Sequence, residues 1–508
     1  MDKPKSMIMV IFGASGDLTR RKLMPALYLL YKLKKLPENF AVLGVARTQY
    51  TDDEYRERIN LQLHRFLKTD DINEALISSF VNMLHYFSMD PANPNDYLHL
   101  QPKLLELDAK IESGEQYLYY LATPPSLYGV IPQYLKNVGL NLDKGVRGKK
   151  RIVVEKPFGY DLDSALELNN VYYKDAFRED QIFRIDHYLG KETVQNIMAL
   201  RFANSIFEPV WNRNYIDHIE ITAVENMGVE QRGGYFDETG TLRDMVQNHL
   251  IQLVAIAAME PPMAFNADSF RDEVAKVYQS LTPLTDKDMH EHIVRGQYVA
   301  SEKKTGYREE KDVDPLSRTE TYVAMKLGIN NWRWNGVPFY IRTGKQMPTK
   351  VSEIIVHFKP TPFLLFNCSD KQCPTANQLI IRILPDEGIV LKFAMKVPGA
   401  GFEVKQVAMD FSYKSLGSLP SEDAYVRLIE DCMIGDPTLF TRSDAVEASW
   451  KFFTPVLNFW KKHPEIPVYG YPAGTWGPKE SEAMMQEHGV QWINPCKNLT
   501  NTDLYCEL

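Results

Sequence analysis

The sequence predicts an α/β domain built on a doubly wound parallel sheet, followed by an α+β domain with a large, mainly antiparallel sheet. Three observations carry this reading. The chain has 508 residues, more than one hydrophobic core organises. Apolar strands alternate with helical stretches through the first third, the rhythm of a parallel sheet with crossover helices. From residue 322 on, alternating polar and apolar segments succeed one another with few helices between them, as in antiparallel sheets. The boundary falls at 182/183, giving a first domain over residues 1–182 and a second over 183–508.

The first domain opens with the apolar run Met7 to Phe12, the turn Gly13-Ala14-Ser15-Gly16-Asp17-Leu18, and a helical pattern from Thr19 to about Lys35, with Pro25 predicting a kink or a late regular start. Glycines before a helix N-terminus let backbone N–H groups approach a pyrophosphate, although structural glycines at a helix entry look the same. A second strand, Phe40 to Val45, ends in Ala46-Arg47-Thr48. An acid there would hold a ribose 2′-hydroxyl. Arg47 suits a 2′-phosphate and favours NADP, and a solvated loop arginine fits the same place. Further strands are predicted at Leu84–Phe87, Gln116–Leu121 and Arg151–Glu155, with helices at Asp52–Phe66, Tyr97–Ile111 and Ser126–Asn137. Two strand ends carry polar groups. One is Thr123-Pro124-Pro125-Ser126-Leu127-Tyr128, where Tyr128 either lines a nicotinamide pocket or packs on a helix. The other is Glu155-Lys156-Pro157-Phe158-Gly159, where Pro157 holds Lys156 extended and projects its ammonium from the strand end. A cis Lys156–Pro157 bond is one hypothesis for that turn.

Next comes Arg184-Ile185-Asp186-His187-Tyr188-Leu189-Gly190-Lys191-Glu192, with two acids, three basic side chains and a phenol in nine residues. If Lys191 and Glu192 open a helix, Lys191 lies one helical turn from His187, so both can aim positive charge at one anion while Asp186 points elsewhere. A helix to about Ala203 follows. Residues Asp217–Val224 alternate His218, Glu220, Thr222 against Ile219, Ile221, Ala223, the pattern of a half-buried strand, and Glu225 stands at its end. Thr241-Leu242-Arg243-Asp244 reads as a capping box that starts a helix with Leu242, Val246 and His249 on one stripe. A hydrogen-bonded core histidine and a functional one share that pattern; Asp244, Asn248 and the upstream Asp186 offer polar partners. Strands are predicted at Tyr322–Gly328, Pro338–Thr343, Glu353–Phe358, Leu379–Leu384, Ile389–Met395 and Gln406–Tyr413. Arg342-Thr343-Gly344-Lys345 and Lys350 cluster cations at one strand end, where edge protection would place them too. The tail is read as helical from Glu422 to about Lys462.

Composition narrows the class. A formal net charge of −8 disfavours nucleic acid and anionic membrane surfaces as partners, so an anionic substrate needs a local basic cluster. The five cysteines, Cys368, Cys373, Cys432, Cys496 and Cys506, contain no Cys-x-x-Cys pair, and reduced thiols are expected. Neither a signal-peptide core nor a membrane-length apolar run is present, so a cytoplasmic protein is expected.

Three motifs in order, Gly13 to Leu18, Glu155 to Gly159 and Arg184 to Glu192, resemble those of the glucose-6-phosphate dehydrogenase family. Arg232 to Asp237, Asp244 to His249, Arg342 to Lys345 and Gly435-Asp436-Pro437-Thr438-Leu439-Phe440 extend the likeness over nearly the whole chain. Thr19 departs from the alanine usual after Gly-Asp-Leu and puts the close packing of that helix in question. The resemblance implies a Rossmann domain joined to an α+β domain that dimerises through its sheet, as a homodimer or a dimer of dimers. It implies hydride transfer from C1 of D-glucose 6-phosphate to NADP⁺, giving 6-phospho-D-glucono-1,5-lactone in the first oxidative step of the pentose phosphate pathway. His249 is then the general base and Asp186 its orienting carboxylate. His187, Tyr188, Lys191 and Lys350 would hold the phosphate, Glu225, Asp244 and Lys345 the sugar hydroxyls, and Lys156 both substrate and cofactor. Gly13, Ala14, Ser15, Gly16, Asp17, Leu18, Arg47 and Tyr128 would hold NADP⁺. A strand-end Glu-Lys-Pro also occurs in other NADP-linked sugar dehydrogenases, but those chains are usually shorter and lack the nonapeptide. A catalytically silent NADP-binding subunit is the remaining alternative, and intact Asp186 and His249 argue against it.

Overall fold

Uninterrupted apolar runs form strands that are buried on both faces, and the first third shows this directly. The computed structural model describes residues 3–145, 148–302, 304–363, 365–366, 376–416, 423–487 and 489–495. The two sequence strands nearest the N-terminus, β1 (Met7–Phe12) and β2 (Phe40–Ala46), pair in parallel. With β3 (Leu84–Ser88), β4 (Tyr117–Leu121), β5 (Lys150–Val154) and β6 (Ile182–Arg184) they make a six-stranded parallel sheet in the order β3-β2-β1-β4-β5-β6. The order reverses between β1 and β4, so the carboxyl edge opens beside the ends of those strands, where ligands of such sheets bind. The helices Asp52–Phe66 and Tyr97–Ile111 stand as predicted. The stretch after β4 departs from the prediction: Pro124 and Pro125 enter a short 3₁₀ turn, and the α-helix begins only at Val130.

The second sheet has nine strands. In chain order they are β7 (Ile216–Val224), β8 (Ile293–Val299), β9 (Tyr322–Leu327), β10 (Phe339–Gly344), β11 (Val351–Phe358), β12 (Gln378–Leu384), β13 (Gly388–Lys396), β14 (Val404–Ser412) and β15 (Tyr469–Pro472). The order is β14-β13-β12-β11-β7-β10-β9-β8-β15, antiparallel except at the parallel pairs β7·β10 and β8·β15. Strands β8 and β15 were not foreseen, since glycine and proline in them dilute the alternation.

Three expectations need correction. Strand β7 is not half-buried: His218, Glu220 and Thr222 are as enclosed as Ile219 and Ile221, because the C-terminal segment covers their face. That cover also explains Arg342. Strand β10 lies inside the sheet, so its arginine protects no edge. Arg342 donates to Thr222 Oγ1 (3.0 Å), Asn494 Oδ1 (2.8 Å) and the Ile493 carbonyl (2.8 Å), and its guanidinium lies against the Trp476 and Trp492 rings. The predicted tail helix is two helices, Ala424–Ile434 and Ser443–Lys462. Gly435 breaks it in the left-handed region (φ 91°), closing the first with an αL cap.

The chain divides into two compact units, one of Met1–Gly190, Met263–Arg271 and Ser421–Glu447, the other of Lys191–Pro262, Asp272–Pro420 and Ala448–Leu508. No helix among the described residues is long and apolar enough to cross a membrane. Cys432 is a free, buried thiol; the other four cysteines lie outside the described residues.

Candidate active site

In each unit the candidate residues stand at strand ends. In the parallel unit, Gly13 follows β1 with φ 88°, and a Cβ there would sit 2.1 Å from the Ala122 carbonyl oxygen, so only glycine lets β1 and β4 end this close. The Gly13 and Ala14 amides donate to the Val45 carbonyl, and Gly16 N–H turns back to the Gly13 carbonyl. The first turn of the following helix is π-helical (Thr19–Leu23) and the regular α-helix starts at Met24, which places Pro25 in its first turn. Thr19 is fully buried and donates to the Gly13 carbonyl at 3.1 Å, so the departure from alanine ties the helix to the turn. Thr48, after β2, donates to Ser15 Oγ at 3.3 Å, setting exposed Arg47 at the strand end beside the glycine turn. Helix N-terminus and arginine together suit a pyrophosphate and a 2′-phosphate. Tyr128 is buried in the core with Ile131 and Tyr172.

Glu155 ends β5 buried, accepting from Tyr120 Oη at 2.5 Å. Burial raises its carboxyl above the usual range, against the hydrogen bonds from Tyr120 and Tyr425 and the charge of Lys156. Lys156 is half-buried and its bond to Pro157 is cis. The short strand β6 delivers the nonapeptide. Its first residue, Arg184, is structural: it is 2% exposed and donates to Glu179 (2.7 Å) and Asn169 (3.2 Å). Gly435 to Phe440 supports the same strand, through an isolated bridge from Phe440 to Ile185 and an edge-to-face contact of the Phe183 and Phe440 rings. Asp186 is buried, and its Oδ1 accepts from the Tyr188 amide at 2.9 Å. The Leu189 amide closes a turn onto the Asp186 carbonyl, so His187 lies in a turn and the helix begins only after Lys191. The expected one-turn helical spacing of His187 and Lys191 is therefore absent; the turn reflects the helix-breaking glycine at 190, where a Cβ would meet the Ala424 carbonyl at 2.9 Å.

In the second unit, register assembles the charges. Val224 on β7 stands opposite Gly344 on β10 and Val351 on β11, which brings Glu225, Lys345 and Lys350 to one end of the sheet. Glu225 pairs with Lys345 at 2.5 Å. Burial alone would raise the Glu225 carboxyl, but the Lys345 ammonium outweighs it and, with Lys350 and against Asp244, leaves the group below its ordinary range.

Asp244 and His249 sit in a π-helical stretch, Leu242–Leu250, that runs into the α-helix Ile251–Ala258. Residues five apart are stacked along a π-turn, whereas an α-helix would turn them away from each other. Both are buried, and His249 is 1% exposed. The helix does not start at a capping box. Thr241 makes no side-chain cap; Gly240 (φ 72°) bends the chain, and Glu320 from before β9 accepts from the Leu242 amide at 3.0 Å. A cap supplied from 78 positions away leaves no local trace. The π-stretch is likewise unreadable from apolar spacing. Gln247 is held by Ser449, which donates to its carbonyl (3.0 Å) and accepts from its amide (3.2 Å).

Comparison with known proteins covers the whole of this architecture. Residues 10–196 match the glucose-6-phosphate dehydrogenase NAD binding domain, and residues 198–493 the glucose-6-phosphate dehydrogenase C-terminal domain. The chain is 52% identical over 497 residues to the glucose-6-phosphate 1-dehydrogenase of Aggregatibacter actinomycetemcomitans, covering 97% of this chain and 98% of that protein. It is 41% identical to that of Bacillus subtilis strain 168 over 496 residues, covering 97% and 99%. Among solved structures, a glucose-6-phosphate dehydrogenase in complex with its substrate glucose-6-phosphate superposes with a TM-score of 0.87 at 35% identity, covering 97% of this chain and all of that one. The glucose-6-phosphate 1-dehydrogenase from Mycobacterium avium gives 0.81 at 36%, covering 97% and 99%.

Proposed function

This chain belongs to the glucose-6-phosphate dehydrogenase family, and from that premise we propose how its residues divide the work of oxidising D-glucose 6-phosphate at C1. The product is 6-phospho-D-glucono-1,5-lactone, and the reaction opens the oxidative branch of the pentose phosphate pathway. NADP⁺ supplies the hydride acceptor when bound. The turn from Gly13 to Leu18 receives the pyrophosphate at the helix N-terminus and Arg47 the 2′-phosphate, while Tyr128, buried against Ile131 and Tyr172, packs behind the site rather than touching the cofactor. Hydride leaves C1 only if the C1 hydroxyl proton leaves with it or before it, so a base with a pKa near neutrality is required. His249 takes that proton. Asp186 fixes its tautomer and stabilises the imidazolium, as carboxylates do in hydrolase triads. Glu225, Asp244 and Lys345 orient the sugar hydroxyls, and Lys156 serves substrate and cofactor together. His187, Tyr188, Lys191 and Lys350 bind the phosphate, whose binding energy fixes the reacting carbon from a distance.

The observation that most supports this reading is the convergence of Glu225, Lys345 and Lys350 through strand register, within the electrostatic reach of Asp244. The test is NADPH absorbance with NADP⁺ and either glucose 6-phosphate or glucose; equal rates on the two sugars sink the phosphate assignment. His249→Asn should lower kcat by about 10²–10⁴ while sparing substrate affinity. A near-wild-type rate removes it as the base.

We also propose a homodimer joined through the β13–β14 edge, where Met395, Met409 and Phe411 are exposed. Light scattering on Met409→Glu/Phe411→Glu should then read a monomer, and an unchanged mass rejects that edge. A cytoplasmic setting suits the free thiol of Cys432.

A further inference from the structure

Two strands of the second sheet carry a buried polar cluster that the sugar chemistry leaves unused. His218 on β7 lies directly across the antiparallel ladder from His357 on β11, and Glu220, two residues along β7, faces the same side. All three are at least nine-tenths buried. Such groups are costly in a sheet interior unless something satisfies them. The two imidazoles are stacked, with centroids 3.9 Å apart and planes inclined by 16°. One ligand atom from each of His218, Glu220 and His357 lies within 4.8 Å of the others, Glu220 Oε1 is 3.7 Å from His218 Nε2, and neither of these two atoms nor His357 Nε2 has an aligned hydrogen bond among the described residues. The Glu220 and His357 atoms approach to 2.7 Å, but off the hydrogen-bonding direction.

The remaining atom of each side chain is held from outside the cluster. Asp217 Oδ2 sits 2.7 Å from His218 Nδ1, which fixes the tautomer with a proton on Nδ1 and a lone pair on Nε2. Glu220 Oε2 accepts from the Ile493 amide at 3.1 Å. The Gln378 amide lies 3.4 Å from His357 Nδ1, and turned by its two-fold it would accept that proton and leave Nε2 as a ligand. This is the outer-shell arrangement of a histidine–carboxylate metal centre. A cleft lined by Asp217, His218, His292, Lys326 and Tyr340 reaches the cluster at His218.

We propose that His218, Glu220 and His357 form a site for one divalent cation of the zinc class, pinning β7 to β11 beneath the C-terminal segment. Two nitrogens and one carboxylate oxygen are a ligand set that zinc takes tetrahedrally with a water. Binding requires the stacked imidazoles to part and turn, their centroids moving from 3.9 Å to about 5 Å so that both Nε2 lone pairs point at one ion, and the Glu220–His357 approach to widen from 2.7 Å to about 3.3 Å.

The experiment uses the full chain, stripped by chelator and titrated with Zn²⁺ or Co²⁺. One equivalent should bind, raise the thermal midpoint, and with Co²⁺ give the visible spectrum of a tetrahedral nitrogen–oxygen site without a thiolate charge-transfer band. His218→Asn, His357→Gln and Glu220→Gln should each lose that equivalent, whereas His249→Asn keeps it. The wild-type cobalt spectrum stands independently of whether the variants fold. No uptake by stripped wild type, a thiolate band, or full uptake by a folded His218→Asn or His357→Gln protein overturns the site.

Discussion

Glu155 and Glu225 each end a strand, and their carboxyl groups meet opposite surroundings. Glu155 closes a strand of the parallel sheet among phenols, and burial lifts its carboxyl toward the neutral form. Glu225 closes a strand of the mixed sheet, where Lys345 overcomes the burial and keeps it charged. The difference separates holding a fold from addressing a ligand. A carboxyl satisfied by hydroxyls spends its hydrogen bonds inside the protein, while one paired with an ammonium presents a polar couple that sugar hydroxyls can enter.

The contrast can be broken by experiment. Glu225→Gln should have the largest effect: kcat/KM for glucose 6-phosphate falls by about 10–100-fold, the worth of a charged hydrogen bond, with the KM for NADP⁺ unchanged. A loss of thermal stability without a kinetic loss would make Glu225 structural after all. Arg47→Ala should weaken NADP⁺ by about tenfold and leave NAD⁺ alone, since only the former carries a 2′-phosphate; equal losses remove that assignment. Glu155→Gln should change kcat/KM by less than about threefold, because the amide still accepts from Tyr120. The two glutamates should also differ in the sign of their pH dependence. The contribution of Glu155, whose folded pKa is raised, is full below the unfolded value near ~4.3 and is lost as pH rises through the folded one. That of Glu225, whose folded pKa is lowered, is present above ~4.3 and lost as pH falls through the folded one. Thermal midpoints of the two glutamine variants against wild type, followed from acid to neutral pH, should therefore diverge in opposite directions, and parallel profiles would erase the contrast. Smallest of all, Thr19→Ala should cost about 1 kcal/mol, read by denaturant unfolding, for the lost bond to the Gly13 carbonyl.

What the sequence disclosed follows the same division. The parallel sheet announces itself because each strand is a short apolar run and each ligand-facing turn is local, so Gly13 and Lys156 stand where their motifs put them. In the mixed sheet the partners of Glu225 lie 120 and 125 positions away, at Lys345 and Lys350, and only register joins them. Alternation misjudged His218 and Glu220 as solvent-facing because period 2 reports two faces without saying what covers each. The cover is the C-terminal segment carrying Trp476, Trp492 and Ile493, whose proline- and aromatic-rich composition has no periodicity to read. The cap at Leu242 and the π-stretch through His249 were invisible for a related reason: both depend on contacts that the local sequence does not contain.

The parallel unit is not finished where its last strand ends. Arg151 on β5 donates to the carbonyls of Cys432, Met433 and Ile434, and Arg184 and Ile185 meet Thr441 and Phe440. At a ribosome adding about 5–20 residues per second, the 257 positions from 190 to 447 take roughly 13–50 s to appear. During that interval the nascent sheet carries a half-buried arginine, Arg151, without the carbonyls that receive it in the folded chain. The dinucleotide-binding half, though encoded first, is thus obliged to mature late, and a truncation at residue 190 should expose it to chaperones rather than release a self-sufficient module.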